Sequence, residues 1–355
     1  MPLTFRRGRE ADWKARPWER LSELEEYEAL ARSRLQHLVE VREPLVLVSQ
    51  IQRAGGTLLS QLFDGHPECH AHPHELKIGY PREHDWPPLA EAADRESWFE
   101  MLFEKRTVRH FVQGYEKSAK RRHEFDVFPF LFLPRLQKAV FDACVEGWRP
   151  VGERGVLDCY FTSYFNAWLD NQNLYSGPKR VVTWFTPRLA MEAGNVERFF
   201  GAYPEGTLIS IVRDPRAWYV SASRHMPEYY ADVEAALGLW VRSTDAALAA
   251  LARFGERVVV LTYEQLVLET EATMRRVCER VGVSMVPGVL VPTFNGRPIR
   301  ANSSGVVERY GVLAERTDAY RESLDAERSA LIVELAGDRY EQAADAAGAR
   351  VPSDR

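Results

Sequence analysis

Val46-Leu47-Val48-Ser49-Gln50-Ile51-Gln52-Arg53-Ala54-Gly55-Gly56-Thr57-Leu58-Leu59 is the stretch on which the reading of this chain turns. It reads as a buried strand, a glycine turn carrying one cation, and the start of a helix. Such a unit is a phosphate cradle. Gly55 and Gly56 let the backbone approach an anion without interference from a Cβ. The first free N–H groups of the helix, with the positive end of its dipole, then hold that anion. Arg53 adds charge and Thr57 a hydroxyl. The triphosphate loop G-x-x-x-x-G-K-[ST] is absent, because Gly56 stands where its lysine belongs, and so is the dinucleotide fingerprint G-x-G-x-x-G. Taken alone, a glycine pair also suits a purely structural turn.

A second segment narrows the choice. Thr207-Leu208-Ile209-Ser210-Ile211-Val212 is a β-branched apolar run, followed by Arg213-Asp214-Pro215-Arg216 and then Ala217 to His225. Pro215 stops a strand and suits the first turn of a helix. Arg213 therefore sits at a strand's C-terminal end, where open α/β sheets bind ligands. Ser221, eight positions on, lies two turns into the following helix. Arg213 and Ser221 are spaced to hold one phosphate from two sides.

At these residues the chain resembles the sulfotransferases that use 3′-phosphoadenosine 5′-phosphosulfate (PAPS). Arg53-Ala54-Gly55-Gly56-Thr57-Leu58-Leu59 is similar to that family's 5′-phosphosulfate loop, and Arg213 with Ser221 to its 3′-phosphate pair. Leu62-Phe63-Asp64-Gly65-His66-Pro67 looks like the bacterial and Golgi-type branches. Thr186-Pro187-Arg188-Leu189, Thr262-Tyr263-Glu264-Gln265-Leu266 and Pro292 to Ser304 agree in order, so the resemblance spans residues 44–310. Two departures stand out. Ala54 and Gly56 replace hydroxyl residues of the loop, and Phe185 occupies the place of a lysine before the Thr-Pro pair.

The resemblance implies a P-loop-like α/β fold: three layers, with a doubly wound, mostly parallel sheet and helical cap insertions. It implies sulfuryl transfer from PAPS to a hydroxyl, less readily an amine, with release of 3′-phosphoadenosine 5′-phosphate (PAP) and no metal. Carbohydrate, glycolipid, natural-product and tyrosine acceptors all remain open. Arg53 would meet the charge that grows on the leaving phosphate, with Ala54, Gly55, Gly56, Thr57 and Leu58 around it. Arg300, Asn302, Ser303 and Ser304 resemble a loop that closes over the nucleotide. The acceptor's proton needs a base. Glu75 is the first candidate and His74 the second, in the stretch His66 to Leu76. His70, His72 and His74 alternate as strand faces would, but Pro73 interrupts them and no matching ligands point to a metal. Two other readings are an ATP-dependent phosphotransferase of related fold and a catalytically silent nucleotide-binding protein.

Composition is in keeping with an enzyme of this kind. At 355 residues with 45% hydrophobic content, the chain can bury a large core. Its net charge of −5 supplies no global field to recruit nucleic acid. Cys69, Cys144, Cys159 and Cys278 form no C-x-x-C pair, which predicts reduced thiols in a cytoplasmic protein. No run approaches the ~20 apolar residues that span a bilayer. A homodimer fits as well as a monomer.

The expected organisation is an N-terminal helical extension over 1–43, with a helix at 18–41 turning Leu21, Leu24, Leu35, Leu38 and Val39 to a core. A sulfotransferase domain follows over 44–336. Within it lie helix 57–64, an active-site loop region at 66–90, a helical cap insert at 95–145 and a strand at Val151–Leu157. Further on come strands at Arg180–Trp184 and Val258–Leu261, and helices at 231–254 and 264–281. The cap carries Lys117, Lys120, Arg121 and Arg122, a solvated basic face or an acceptor contact. The alanine-rich residues 337–355 read as a flexible tail.

Overall fold

In the computed structural model the described residues are 17–76, 78, 85–91, 94–103, 131–148, 152–299, 309–314 and 317–349; for 17–24 this extends to the backbone only. The sheet has five strands: β1 (Leu45–Val48), β2 (Cys69–Glu75), β3 (Val181–Phe185), β4 (Thr207–Val212) and β5 (Val258–Thr262). They run in the order β2-β3-β1-β4-β5, and every pairing is parallel. The chain passes from β1 to the far edge at β2, returns to β3 beside β1, and then crosses to β4 and β5 on the other side. This is a doubly wound α/β fold, and β1 marks its switch point.

Strand sequences are continuously apolar because both faces are covered. Leu45, Leu47, Val182, Trp184, Leu208, Val212, Val258 and Val260 enter one core cluster. Val46, Val48, Val181, Phe185, Ile209, Ile211, Val259 and Leu261 enter the other. The larger cluster is closed by α4 (Pro134–Trp148), α5 (Gly152–Ala167), α6 (Ala193–Ala202) and α8 (Val233–Phe254), after α1 (Pro17–Gln36) and α3 (Arg95–Leu102). The smaller is closed by α2 (Gly56–Phe63), α9 (Tyr263–Leu268) and α10 (Thr270–Val281). Helix α7 (Pro215–His225) follows β4, and a short β6–β7 ladder joins Thr293–Phe294 to Arg297–Pro298.

Five expectations need correction. Residues 69–75, read as loop, form the edge strand β2; the register shift that its ladder carries past Ala71 disguises the strand's alternation. Val151–Leu157 is not a strand: from Gly152 it is the start of α5, whose wholly buried middle erases helical periodicity. The helix at 264–281 is two, broken at Glu269, whose backbone leaves the helical region at φ −126 and ψ 42. The helix expected at 18–41 ends at Gln36: Leu35 faces solvent, and Leu38 and Val39 pack on the core from the irregular segment beyond it. The tail expected to fray at Gly337 is the second half of α11 (Ala326–Ala346), where Tyr340, Ala343 and Ala344 are buried. Alanine there is a close-packing residue against α8, not a sign of disorder.

Of the segment 95–145, α3 and α4 are described; Leu136, Val140 and Phe141 of α4 belong to the main core. Lys117, Lys120, Arg121 and Arg122, like Arg300, Asn302, Ser303 and Ser304, lie outside the described residues. No described helix is long and apolar enough to cross a membrane.

Candidate active site

The described site residues from the sequence, Ser221 apart, lie at or just beyond the C-terminal end of a strand. Arg53 and the glycines follow β1, Glu75 ends β2, Arg213 follows β4, and Ser221 stands in the helix after it. A single cleft is lined by Arg53, Gly55, Gly56, Thr57, Leu58, Glu75 and Arg213; Ser221 and Ala54 are not among the residues that line it.

The cradle forms because its residues accept unusual backbone angles. Arg53 has φ 70 and Gly55 φ 119, both left-handed, so the chain reverses within a few residues. Gly55 is the N-cap of α2 and offers no side-chain cap. The first-turn N–H groups of Gly56, Thr57 and Leu58 are thus left for a ligand at the positive end of the helix. Trp218 of α7 fastens the turn by donating its indole N–H to the Gln52 carbonyl at 2.8 Å.

Two guanidiniums converge on this turn. Arg53 Nε donates to Ser221 Oγ at 3.2 Å, and Arg213 Nη1 donates to the Arg53 carbonyl at 3.2 Å. Arg213 also lies over the Tyr263 ring, 4.3 Å from its centroid, while its buried Nε–H has no partner. Neither arginine is ion-paired among the described residues. Burial, and then the nearby charge of Arg213, press the Arg53 pKa downward. Arg53 still stays charged, since guanidinium lies so far above neutrality. Two like charges, an orphaned donor and free helix amides in one cleft call for an anion.

Asp214 does not neutralise Arg213. Its carboxylate caps α7 by accepting from the N–H groups of Arg216 and Ala217, and it pairs with the Arg216 guanidinium at 2.6 Å. Pro215 at the first helical position completes this start.

Glu75, half-buried, faces the cleft; His74, one residue earlier on the strand, is not among its lining residues. His70 and His72 are buried, and burial drives both imidazoles down to about 3. His72 packs against Tyr164, Trp168 and Trp184. Among the described residues no group of three His, Cys, Asp or Glu side chains is placed to hold a metal.

The Leu62 to Pro67 run is structural. Asp64 is buried and accepts from the Thr293 hydroxyl at 2.7 Å and the Gly296 N–H at 2.8 Å, tying α2 to the β6–β7 ladder. Burial pushes its carboxyl up to about 6.

Three further lining residues were not among the site residues expected from the sequence, although Tyr263 falls in one of the family-like fragments. Tyr263 heads α9, which Thr262 and Gln265 start with a reciprocal capping box, and its ring covers Arg213. His225 lies one turn beyond Ser221; burial and the charge of Arg53 lower its pKa. Gln61 stands one turn beyond Thr57 on α2. For His225 and Gln61 the spacing from Ser221 and Thr57 was the available clue, since i and i+4 share a helix face.

A family model described as the sulfotransferase family matches residues 44–287. No curated protein matches. Among solved structures, a sulfotransferase domain from the curacin biosynthetic pathway aligns at 15% identity and TM-score 0.46, covering 87% of this chain and 99% of its own. A sulfotransferase domain from the Synechococcus PCC 7002 olefin synthase aligns at 16% and TM-score 0.46, covering 84% and 95%. A sulfotransferase from Mycobacterium avium aligns at 14% and TM-score 0.40, covering 87% and 79%.

Proposed function

The chain belongs to the sulfotransferase family, and from that premise we propose that it moves a sulfuryl group from PAPS to the hydroxyl of a small-molecule or glycan acceptor. The observation that carries this reading is the pairing of Arg53 and Arg213 at one cleft, with an unpartnered guanidinium N–H and the open amides of α2. A donor with a phosphosulfate at one end and a 3′-phosphate at the other uses both. Arg213, with Ser221, takes the 3′-phosphate, and the turn from Arg53 to Leu58 takes the phosphosulfate. Arg53 donates to the Ser221 hydroxyl. The donor would exchange that contact for its own phosphates.

The acceptor oxygen attacks sulfur in line, and the bond from sulfur to the bridging phosphate oxygen breaks. The hydroxyl proton passes to Glu75, and the electron pair leaves with PAP. By analogy with phosphoryl transfer, the protein's work is positioning and charge stabilisation. As negative charge grows on the 5′-phosphate, Arg53 and the α2 amides meet it. We place the enzyme in the cytoplasm, in keeping with four buried and unbridged cysteines.

The test is calorimetric titration with PAP, ATP and ADP, with and without Mg²⁺. Metal-independent binding of PAP in preference to both others is the expected outcome. Preference for ATP with Mg²⁺ would overturn the donor assignment in favour of phosphoryl transfer.

A further inference from the structure

Residues 317–349 lie beyond the span that matches the family, yet they close around the turn bearing Arg213. Helix α11 packs on α7, α8, β4 and β5. Before it, the Tyr320 ring receives the Arg216 guanidinium at 4.8 Å, and the Ser323 hydroxyl accepts from Arg224 at 2.6 Å. After it, the Ala347 carbonyl accepts from Arg276 at 2.7 Å and from Gln265 at 3.3 Å.

The centre of this bracket is one peptide unit. The Arg213 carbonyl accepts from the Trp240 indole at 3.0 Å, and the N–H of the same peptide, on Asp214, donates to Glu264 Oε1 at 3.1 Å. Both polar atoms of the plane are held, so its orientation is fixed. Glu264 is held in turn: the Tyr340 hydroxyl of α11 donates to its Oε2 at 3.0 Å. The chain of contacts runs from the last helix, through one carboxyl, to the backbone from which Arg213 projects.

We propose that Glu264, clamped by Tyr340, is a positioning residue for the donor nucleotide: it orients the Arg213–Asp214 peptide so that the Arg213 guanidinium meets a 3′-phosphate. This rests on the reading that Arg213 takes that phosphate. A consequence in pH follows. The charged groups facing Glu264 are Asp214 and Arg213 from the turn, with Tyr340 opposite and Arg216 beside Tyr340. Burial, and then the Asp214 charge, push the Glu264 carboxyl up to about 7. An incoming phosphate dianion adds negative charge beside Arg213 and favours the protonated acid. Binding therefore takes up protons near neutrality.

The experiment is calorimetry of the full chain with PAP and with 5′-AMP, which lacks only the 3′-phosphate. It is run at pH 7 in two buffers of different ionisation enthalpy, on wild type, Tyr340→Phe and Glu264→Gln, with melting curves for each. Tyr340→Phe loses about tenfold of the preference for PAP over AMP, the scale of one hydrogen bond to a charged or partly charged group, while AMP affinity stays. Glu264→Gln keeps an acceptor for the Asp214 N–H, so it keeps the preference and shows less proton uptake. Unchanged preference in Tyr340→Phe, or equal weakening of both ligands with a lowered melting point, overturns the inference and leaves the donor reading standing. A wild type that does not distinguish PAP from AMP overturns both.

Discussion

Replacing Gly56 by alanine tests whether Gly56 and Phe185 are one packing solution. A Cβ at Gly56 would run into Gln50 Nε2 and lie 2.5 Å from Cε2 and Cζ of Phe185. Ordinary carbon contacts are about 3.5–4.0 Å, so the ring must retreat by about 1 Å. Phe185 is buried at the end of β3, paired with Val48, and has little room to do so. Overpacking of this sort costs about 1–3 kcal/mol. Against it stands the helix preference of alanine over glycine, at most about 1 kcal/mol at a first-turn position. The clash wins, and a net loss of about 1–2 kcal/mol is expected.

Urea denaturation of the wild type, Gly56→Ala, Phe185→Leu and the double variant measures this as a cycle. The expected coupling is about 1–2 kcal/mol in the sense that Phe185→Leu relieves Gly56→Ala. If Gly56→Ala matched or exceeded wild-type stability, or the two effects simply added, the packing argument would fail. The pairing also explains the loop chemistry. The Phe185 ring leaves no room for a side chain at 56, so on the resemblance to the family loop Thr57 is the residue left to supply its hydroxyl.

Three other substitutions separate binding, chemistry and stability. Arg213→Ala should weaken PAP by about 10–100-fold in calorimetry, the loss of a charge-assisted contact, and leave 5′-AMP nearly unchanged; equal loss for both ligands would contradict the 3′-phosphate role. Glu75→Gln should leave PAP affinity intact and lower turnover with PAPS by about 10²–10⁴-fold; full turnover in that variant, with loss in His74→Ala, would move the base to His74. Asp64 predicts a pH effect on stability. Its folded pKa of about 6 lies above the ordinary 3.8, so the folded state favours the protonated form. That contribution is complete below pH 4 and is lost as pH rises through 6, about 3 kcal/mol in all at 1.36 kcal/mol per pKa unit. Asp64→Asn keeps an acceptor oxygen, so its stability relative to wild type should improve by that order between pH 4 and 7. A pH-independent difference in urea titrations would show that Asp64 is not held protonated.

What could be read in the sequence was what is local. The cradle, the Arg213 turn and the Pro215 helix start are each encoded within a few residues, because glycine, proline and strand-end positions impose their geometry without help from afar. Glu75 was placed only as a candidate near a His-Pro pair; the parallel pairing of β2 with β3 is what brings it to the cleft. The wholly buried α5 defeated periodicity, since a helix with no solvent face carries no amphipathic signal. The same limit hid the role of the C-terminal residues. Tyr340 and Glu264 are 76 positions apart and meet through one hydrogen bond. An alanine-rich helix carrying a single buried tyrosine reads as tail until the surface it covers is known. That surface is the back of the turn presenting Arg213, so the segment with the weakest signal in sequence is fastened to the residue with one of the strongest.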